Sequence, residues 1–383
     1  MGHCLILTWN GAGNQSPAIG LAQELTRNGH VVTFAGSEDQ RPLFAGHGFA
    51  FEALTTAPRH PGRPAFEFHR ENSWANPAHA RDLTRLMDQV RPDTLVVDCL
   101  MFGALAAAER TGRSARVLVH SAPNALVPVA GSLESLLKEP LNRLRADLGL
   151  SPLPNLQAAW APFPVLCTSI PELDAPQSSF CAEVRFIGPL FETPIAGKPE
   201  MPWAAAKGSP IVLVSFSTGR AWDQRSRIRR TADALANGAF RAVFTTGLAD
   251  VSAIRPPPNA WFTPSAPHQT ILARAAVTVT HAGHGTVMAS LAAGVPLVCL
   301  PNPGADQEAL AARIEGLGAG LALDGEQATA DDIRAAIEAA ARDSSFAKRA
   351  AELAERIRQT RVPDLAVELM AAPGLLAPRD RDA

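Results

Sequence analysis

The sequence lacks several features that would assign it to other classes of protein. It has no tyrosine. Its five cysteines are odd in number and form no CxxC pair: Cys4, Cys99, Cys167, Cys181 and Cys299. Most of them lie within or beside apolar runs, so buried free thiols fit better than disulfides or a zinc site.

An excess of charge of one sign is also missing. The formal net charge is -2, which gives no reason to expect nucleic acid or an anionic membrane as a partner. No uninterrupted apolar run reaches the ~20 residues that span a bilayer. The N-terminus lacks the basic and apolar parts of a signal peptide. We therefore expect a cytoplasmic protein without membrane insertion.

What the sequence does contain is a repeated alternation of strands and helices. Apolar runs predict strands over 3–9, 30–36, 94–98, 116–120, 164–169 and 184–189, and again over 211–217, 241–247, 277–281 and 296–301. Helical segments lie between many of them. This pattern is typical of an α/β fold with doubly wound parallel sheets. A chain of 383 residues favours two such domains.

A proline-rich stretch divides the two halves. The segment 190–208, LFETPIAGKPEMPWAAAKG, has three prolines and no periodicity, as expected of a linker. We predict domains at 1–192 and 209–362 joined by a linker at 193–208. The helix and tail at 363–383 could pack back on the first domain. Ligands of such folds bind at the carboxyl ends of strands, so we expect the turns 8–17 and 280–286 to face one cleft.

The first of these turns, TWNGAGNQSP (8–17), raises a question about Asn14. We predict that Ser16 caps a helix that begins at Pro17. Gly11, Gly13 and Ser16 nearly match the GxGxxG fingerprint of dinucleotide enzymes. That fingerprint requires an acidic residue at the end of the second strand, where this chain has Ala35 and Gly36. An NAD-dependent dehydrogenase is therefore disfavoured.

The second turn, THAGHGT (280–286), predicts an anion site. Gly283 and Gly285 let the backbone approach a ligand closely. The following helix offers free N–H groups and the positive end of its dipole. His281 and Thr286 can add side-chain donors to the same phosphate.

The longer motif THAGHGTVMASLAAGVPLVCLPNPGADQ (280–307) resembles the donor-binding signature of the UDP-glycosyltransferase superfamily. PDTLVVD, VSFST and APHQTIL extend the resemblance to most of the chain. It implies a GT-B fold of two Rossmann-like domains facing across a cleft, and an inverting family-1 enzyme like those that glycosylate bacterial antibiotics. The implied partners are a nucleotide-sugar donor and a hydrophobic small-molecule acceptor, with no cofactor and no metal ion. The chain would be a monomer or a homodimer.

The resemblance implies roles for individual residues in the two domains. In the C-terminal donor domain, the pyrophosphate, sugar and base would be held by His281, Gly283, Gly285, Thr286, Asp306, Gln307, Ser217, Thr218, His268 and Trp261. In the N-terminal acceptor domain, the acceptor pocket would include Gly13, Phe66, Trp74 and His120. The aromatic residues of the loop 55–80 have an alternative role, which is to pack that loop against its own domain.

Three positions depart from the family's pattern. Relatives often carry an aromatic residue that stacks on the base where this chain has Ser265, and Trp261 nearby could take its place or belong to the core. Relatives that use UDP donors often carry a glutamate, which binds both ribose hydroxyls, where this chain has Ala289. A deoxyribose has no 2′-hydroxyl to bind, so we favour a dTDP-sugar over UDP-glucose. Most relatives carry a histidine, the acceptor base, where this chain has Asn14. Asp98 matches the carboxylate that orients that base.

Three explanations of Asn14 remain open at the level of the sequence. Asn14 could position the acceptor while another group takes the proton: Asp98, a water, or one of His60, His69, His79 and His120. The acceptor could need little deprotonation, as an acidic phenol, an amine or a carbon nucleophile. The protein could instead be an auxiliary donor-binding subunit, or a sugar-nucleotide epimerase of GT-B type that needs no acceptor.

Overall fold

The computed structural model describes residues 1–57, 65–174, 183–193, 209–216, 223–236, 238–304, 306–362 and 364–371, without the side chains of Ala12, Ala65 and Phe66. They fall into two compact units. Unit 1 comprises 1–168, 176–195 and 362–383, and unit 2 comprises 169–175 and 196–361. This division differs from the predicted domain 1–192 at the short segment 169–175. Most of the predicted linker, 194–208, lies outside the described residues.

Unit 1 is built on a parallel sheet flanked by helices. Its strands are β1 (His3–Leu7), β2 (Val31–Gly36), β3 (Ala50–Ala53), β4 (Thr94–Asp98), β5 (Ala115–Val119), β6 (Val165–Cys167) and β7 (Val184–Phe186), in the order β3-β2-β1-β4-β5-β6-β7. Its helices are α1 (Ala12–Arg27), α2 (Arg41–Gly46), α3 (Ala65–His69), α4 (His79–Val90), α5 (Phe102–Arg110), α6 (Pro123–Leu126) and α7 (Ser132–Asp147). A π-helical turn follows α3 at Arg70–Trp74.

Both faces of this sheet are buried. Leu5 and Val97 belong to the core on one face, whereas Ile6 and Val96 belong to the core on the other. Alternate residues of a strand point to opposite faces, so a strand with helices on both sides needs an unbroken apolar run. This requirement explains why β4 and β5 were recognisable in the sequence.

Unit 2 has the same architecture with fewer strands among the described residues. They are β8 (Ile211–Ser215), β9 (Arg241–Thr245), β10 (Ala260–Thr263), β11 (Ala275–Thr280), β12 (Leu297–Cys299) and β13 (Gly320–Ala322), all parallel, in the order β10-β9-β8-β11-β12-β13. The helices are α8 (Arg225–Leu235), α9 (His268–Leu272), α10 (His284–Ala292), α11 (Gln307–Gly316), α12 (Ala330–Arg342) and α13 (Ser344–Thr360).

The last described helix, α14 (Leu365–Met370), packs into unit 1. Leu365 and Leu369 are buried in the same core as Ile6. The Thr94 hydroxyl at the start of β4 donates to the Leu369 carbonyl over 3.1 Å. Residues 372–383 of the predicted tail lie outside the described residues. None of the described helices is both long and apolar enough to cross a bilayer.

The start of α1 differs from the prediction. The helix begins at Ala12 with Gly11 as its N-cap, and Pro17 lies inside it. The chain turns directly from β1 into the helix, because the Gly11 amide donates to the Trp9 carbonyl over 2.8 Å. The prediction of a start at Ser16 and Pro17 was therefore wrong by about one turn. As a result, Asn14 lies in the first turn of a helix and not in a loop.

The buried residue His79 should make the stability of unit 1 depend on pH. It is 1% exposed, and neither ring nitrogen has a hydrogen-bond partner among the described residues. Burial lowers its pKa to about 4, whereas an unfolded histidine titrates near 6.5. The free energy of unfolding should therefore be unaffected by this group above pH 6.5. It should fall by up to about 1.4 kcal/mol per pH unit between 6.5 and 4.

Denaturant unfolding of the wild type and of His79→Asn at pH 7 and pH 5 measures this effect. The variant should be less stable at pH 7, since it leaves a cavity, but it should lose less stability on acidification. An identical pH dependence in the two proteins would contradict the assignment.

Candidate active site

Each sheet has a switch point where its strand order reverses, between β1 and β4 in unit 1 and between β8 and β11 in unit 2. Parallel strands that diverge at such a point leave a crevice at their carboxyl ends, and ligands of open α/β sheets bind there. Asp98 ends β4 and His281 follows β11. The sequence-predicted residues of the two turns therefore lie at the expected edges of their sheets.

His281 is the central side chain of the switch point in unit 2. It follows Thr280, which pairs in register with Ser215 at the end of β8. The imidazole is 8% exposed, and its buried Nδ1 has no hydrogen-bond partner among the described residues. Burial lowers its pKa to about 4, so the ring is neutral near pH 7. The nearby Ser215 backbone opposes this lowering of the pKa, but within the described part of the chain Nδ1 has no partner with hydrogen-bond geometry and can therefore bond a ligand.

The backbone beyond His281 is shaped around its ring. Ala282 has a φ of 62°, a left-handed conformation that costs energy for a residue with a Cβ. Gly283 caps α10, and a Cβ at this position would lie 2.5 Å from His281 Nε2. Gly285, in contrast, is exposed, and a Cβ there would meet no atom within 4 Å. The first glycine accommodates the histidine and the second leaves open space at the start of the helix.

The N-terminus of α10 has the properties of an anion site. The first turn of a helix leaves N–H groups without intrahelical acceptors, and the helix dipole is positive there. Thr286 is partly exposed in this turn. The described part of unit 2 thus brings His281, Gly283, Gly285 and Thr286 together.

The other residues predicted to bind the donor lie on separate elements of unit 2. His268 begins α9, where its Nε2 lies 3.4 Å from Thr245 Oγ1 and burial lowers its pKa to about 4. Trp261 is partly exposed on β10. Asp306 directly precedes α11. Ser217 and Thr218 lie outside the described residues.

Gln307 is more constrained than the sequence suggested. It is 4% exposed, and its Oε1 accepts hydrogen bonds from the Asn302 amide over 3.1 Å and from Asn302 Nδ2 over 2.8 Å. Gln224 Nε2 in turn donates to Asn302 Oδ1 over 3.2 Å. The side-chain oxygen of Gln307 therefore holds the loop before α11.

Sequence reasoning missed one charged residue behind the anion site. Arg227 on α8 is 3% exposed, donates to the Pro301 carbonyl over 3.0 Å and pairs with Glu326. After burial itself, the field of this cation is a further cause that lowers the pKa of His281. The arginine-rich segment RSRIRR gave no signal that this one arginine is buried.

In unit 1, the side chain of Asn14 is hydrogen-bonded within the turn in which it lies. It is 1% exposed, and its Nδ2 donates to Thr8 Oγ1 over 2.8 Å and to the Trp9 carbonyl over 3.0 Å. Its Oδ1 is buried and has no hydrogen-bond partner among the described residues. The amide thus fixes the connection between β1 and α1. Neighbouring Gly13 is the open position of this turn, since a Cβ there would meet no atom within 4 Å.

Asp98 is bonded to three different segments of unit 1. Its Oδ1 accepts from the Trp9 indole Nε1 over 2.9 Å and from the Leu100 amide over 3.0 Å. Its Oδ2 lies 2.9 Å from Nδ1 of His120, which follows β5. The structure therefore joins the predicted residues Asp98 and His120 directly. It adds Trp9, which the sequence had marked only as the end of a strand.

The aromatic residues of the loop 55–80 are placed as packing groups where the structure describes them. Trp74 is 5% exposed and Phe68 is 4% exposed. The Trp74 ring meets the Trp9 ring edge-on, with centroids 5.3 Å apart. This geometry favours the packing alternative over an aromatic face open to an aglycone. The side chain of Phe66, and all of His60, lie outside the described residues.

Three potential metal ligands lie close together among the described residues. The ligand atoms of Asp98, Cys99 and His120 are within 4.8 Å of one another. Burial raises the pKa of the Cys99 thiol well above its ordinary value, whereas a metal ligand must be a thiolate. Asp98 is already bonded to Trp9, Leu100 and His120. We therefore treat the group as a hydrogen-bonded network.

The two glycines of the anion site should respond differently to an added methyl group. Gly283→Ala places a Cβ against the buried His281 ring, so we expect the free energy of unfolding to fall by about 1–3 kcal/mol. Gly285→Ala is the matched control. It adds a Cβ in open space at the start of a helix, where alanine is preferred over glycine.

Denaturant unfolding of both variants separates the two cases. Equal stability of Gly283→Ala and the wild type would show that the ring does not pack as described.

Comparisons with known proteins match one part of the chain to a family model and most of the chain to more distant relatives. Residues 242–371 match the family described as erythromycin biosynthesis protein CIII-like, C-terminal domain. The chain is 27% identical to 4'-demethylrebeccamycin synthase of Lentzea aerocolonigenes, over 91% of this chain and 94% of that protein.

Solved structures show the same fold. The calicheamicin glycosyltransferase CalG4 superposes with a TM-score of 0.75 at 24% identity, covering 99% of this chain and 100% of the other. The glycosyltransferase VinC in complex with dTDP gives a TM-score of 0.72 at 18% identity, covering 96% and 99%. The chain has the GT-B fold.

Proposed function

We propose that this enzyme, a member of the GT-B glycosyltransferases of antibiotic and natural-product biosynthesis, transfers a sugar from a dTDP-sugar to an apolar small-molecule acceptor with inversion at the anomeric carbon. The observation that carries the proposal is the turn at His281, where an unpartnered imidazole nitrogen adjoins the open N-terminus of α10. We assign the donor to unit 2 and the acceptor to unit 1.

The turn is suited to a diphosphate leaving group. In an inverting transfer, the bond between the anomeric carbon and the phosphate oxygen breaks as the acceptor attacks. Negative charge develops on the departing diphosphate, and fixed donors aimed at that charge lower the barrier. The His281 ring and the first N–H groups of α10 are such donors, because packing around Gly283 holds the ring in place.

The preference for a thymidine nucleotide rests on Ala289. This residue lies on α10 and is 8% exposed. Its methyl group cannot accept a hydrogen bond from a ribose hydroxyl, so a donor loses little binding energy when its 2′-hydroxyl is absent. The dTDP complex of the structural relative VinC supports the same choice. UDP-glucose remains the alternative donor.

The apolar acceptor rests on the names of the relatives and on the low net charge of the chain. The rebeccamycin and calicheamicin enzymes act in antibiotic chemistry, and no excess of charge in this chain calls for an ionic acceptor. Neither epimerisation nor a purely auxiliary role is favoured by any feature of the described residues.

Removal of the His281 imidazole should impair the chemical step. We expect His281→Ala to raise the barrier by about 2–4 kcal/mol, as when an oxyanion donor is lost. The barrier of His281→Asn, which keeps an N–H donor, should lie between the barriers of His281→Ala and the wild type. Steady-state kinetics with a dTDP-sugar measure the effect, and thermal unfolding controls for folding. Wild-type kcat in a folded His281→Ala protein would remove this residue from the mechanism.

A carboxylate at position 289 should change the choice of nucleotide. Ala289→Glu could accept hydrogen bonds from both hydroxyls of a ribose, so the ratio of kcat/KM for UDP- over dTDP-glucose should rise by about fivefold or more, equivalent to about 1 kcal/mol. Ala289→Gln is the control of equal size without charge. If the ratio of kcat/KM for the two donors is unchanged in Ala289→Glu, position 289 does not select the nucleotide.

A further inference from the structure

Three neighbouring strands of unit 1 deliver their terminal side chains to one hydrogen-bonded network. β1, β4 and β5 are adjacent in the sheet, and Asp98 pairs in register with Leu118, two residues before His120. His120 is 8% exposed and Asp98 is 3% exposed. Their contact of 2.9 Å is therefore largely withdrawn from water, where a charge-assisted hydrogen bond is strong.

The partners of Asp98 decide how the His120 imidazole is oriented. An ionised carboxylate only accepts hydrogen bonds, so the proton of this contact belongs to His120 Nδ1. The other ring nitrogen, Nε2, then carries the lone pair. The Trp9 indole and the Leu100 amide hold the second carboxylate oxygen, which prevents the carboxylate from rotating. A carboxylate fixed in this way holds an imidazole in one tautomer and stabilises it when it becomes protonated.

The other candidates for the acceptor's proton are less suited. Asn14 is an amide without a basic nitrogen, and both hydrogen atoms of its Nδ2 are used within the turn. His69 Nδ1 pairs with Ser73 Oγ over 3.1 Å, with no carboxylate in that contact. The Cys99 thiol lies 3.6 Å from His120 Nδ1 and stays protonated because burial raises its pKa. Asp98 and Cys99 are two titratable groups in contact with the His120 ring.

We infer that His120 is the catalytic base of the acceptor step and that Asp98 is its positioning residue, an inference that rests on the proposed glycosyl transfer. As the acceptor oxygen bonds to the anomeric carbon, its proton passes to His120 Nε2. The bond from that carbon to the phosphate oxygen breaks, and its electron pair leaves with the nucleoside diphosphate. The base thus comes from the end of β5, while Asn14 at the end of β1 serves as a structural residue.

The test compares two acceptors that differ in the acidity of one hydroxyl group: an alkyl alcohol and a nitrophenol, which ionises near neutral pH without a base. With the alcohol, His120→Gln should lower kcat by roughly 10²–10⁴-fold, the usual contribution of a general base. With the nitrophenol the loss should be less than about tenfold, because no proton has to be removed. Binding of dTDP, measured by calorimetry, should be unchanged.

Asp98→Asn tests the positioning role. An asparagine amide can donate to Nδ1 and so move the ring proton to Nε2, which removes the lone pair. We expect the same selective loss with the alcohol at an unchanged KM. The matched control is His3→Gln, because His3 is bonded to Thr33 Oγ1 at the opposite end of the same sheet. It should keep wild-type kcat with both acceptors.

The outcomes separate this inference from the proposed function. A wild-type enzyme that transfers sugar from no dTDP- or UDP-sugar would overturn the function itself. If the wild type transfers sugar, and a folded His120→Gln variant is either as active as the wild type or impaired to the same degree with both acceptors, only the role of His120 is overturned. If His120→Gln fails to fold, the pH dependence of kcat in the wild type still tests the role of His120. The wild-type kcat with the alcohol must fall on mild acidification, while the kcat with a dinitrophenol, which stays ionised in mildly acidic solution, should change less; parallel profiles would refute the inference.

Discussion

The carboxyl ends of adjacent parallel strands must lie at the same edge of their sheet, and the candidate residues of each unit are brought together by this constraint. In unit 1 it gathers the residues that follow β1, β4 and β5, which include Trp9, Asp98 and His120. In unit 2 it sets His281, after β11, beside the end of β8. The strands are buried on both faces, so a shift in register would move an entire apolar set out of its core.

Within unit 1, Trp9 connects the hydrogen-bonded network of Asp98 and His120 to the neighbouring segments. Its indole holds Asp98, its carbonyl accepts from Asn14, and its ring packs against Trp74. One side chain therefore couples the turn after β1, the carboxylate at the end of β4 and the loop that precedes α4. In this arrangement Asp98 is bonded to Trp9 and His120, whereas Asn14 is bonded within its own turn.

In unit 2, the residues around His281 likewise hold one side chain in place. A glycine is needed at position 283 because the His281 ring occupies the space of a Cβ. The strained backbone of Ala282 is tolerated because packing fixes the residues on either side of it. The cation of Arg227 and the low exposure of His281 both keep its imidazole neutral. The turn at His281 is thus held in place by its own packing, which is the condition for electrostatic stabilisation without reorganisation.

The sequence by itself determined the fold class, most strands and the position of the glycine-rich turn before α10, because buried parallel strands need continuous apolar runs and a glycine-rich turn before a helix has few structural alternatives. It also singled out Asp98 and His120, but as separate residues. Only the tertiary structure decided that they are in contact, that Asn14 is bonded within its own turn and that Trp74 is buried. The contacts of Asp98 with Trp9 and His120 depend on strand order and join residues about 20 to 90 positions apart, which local sequence patterns do not record. The same reason accounts for Arg227, whose burial is set by Pro301 and Glu326 and not by its neighbours in sequence.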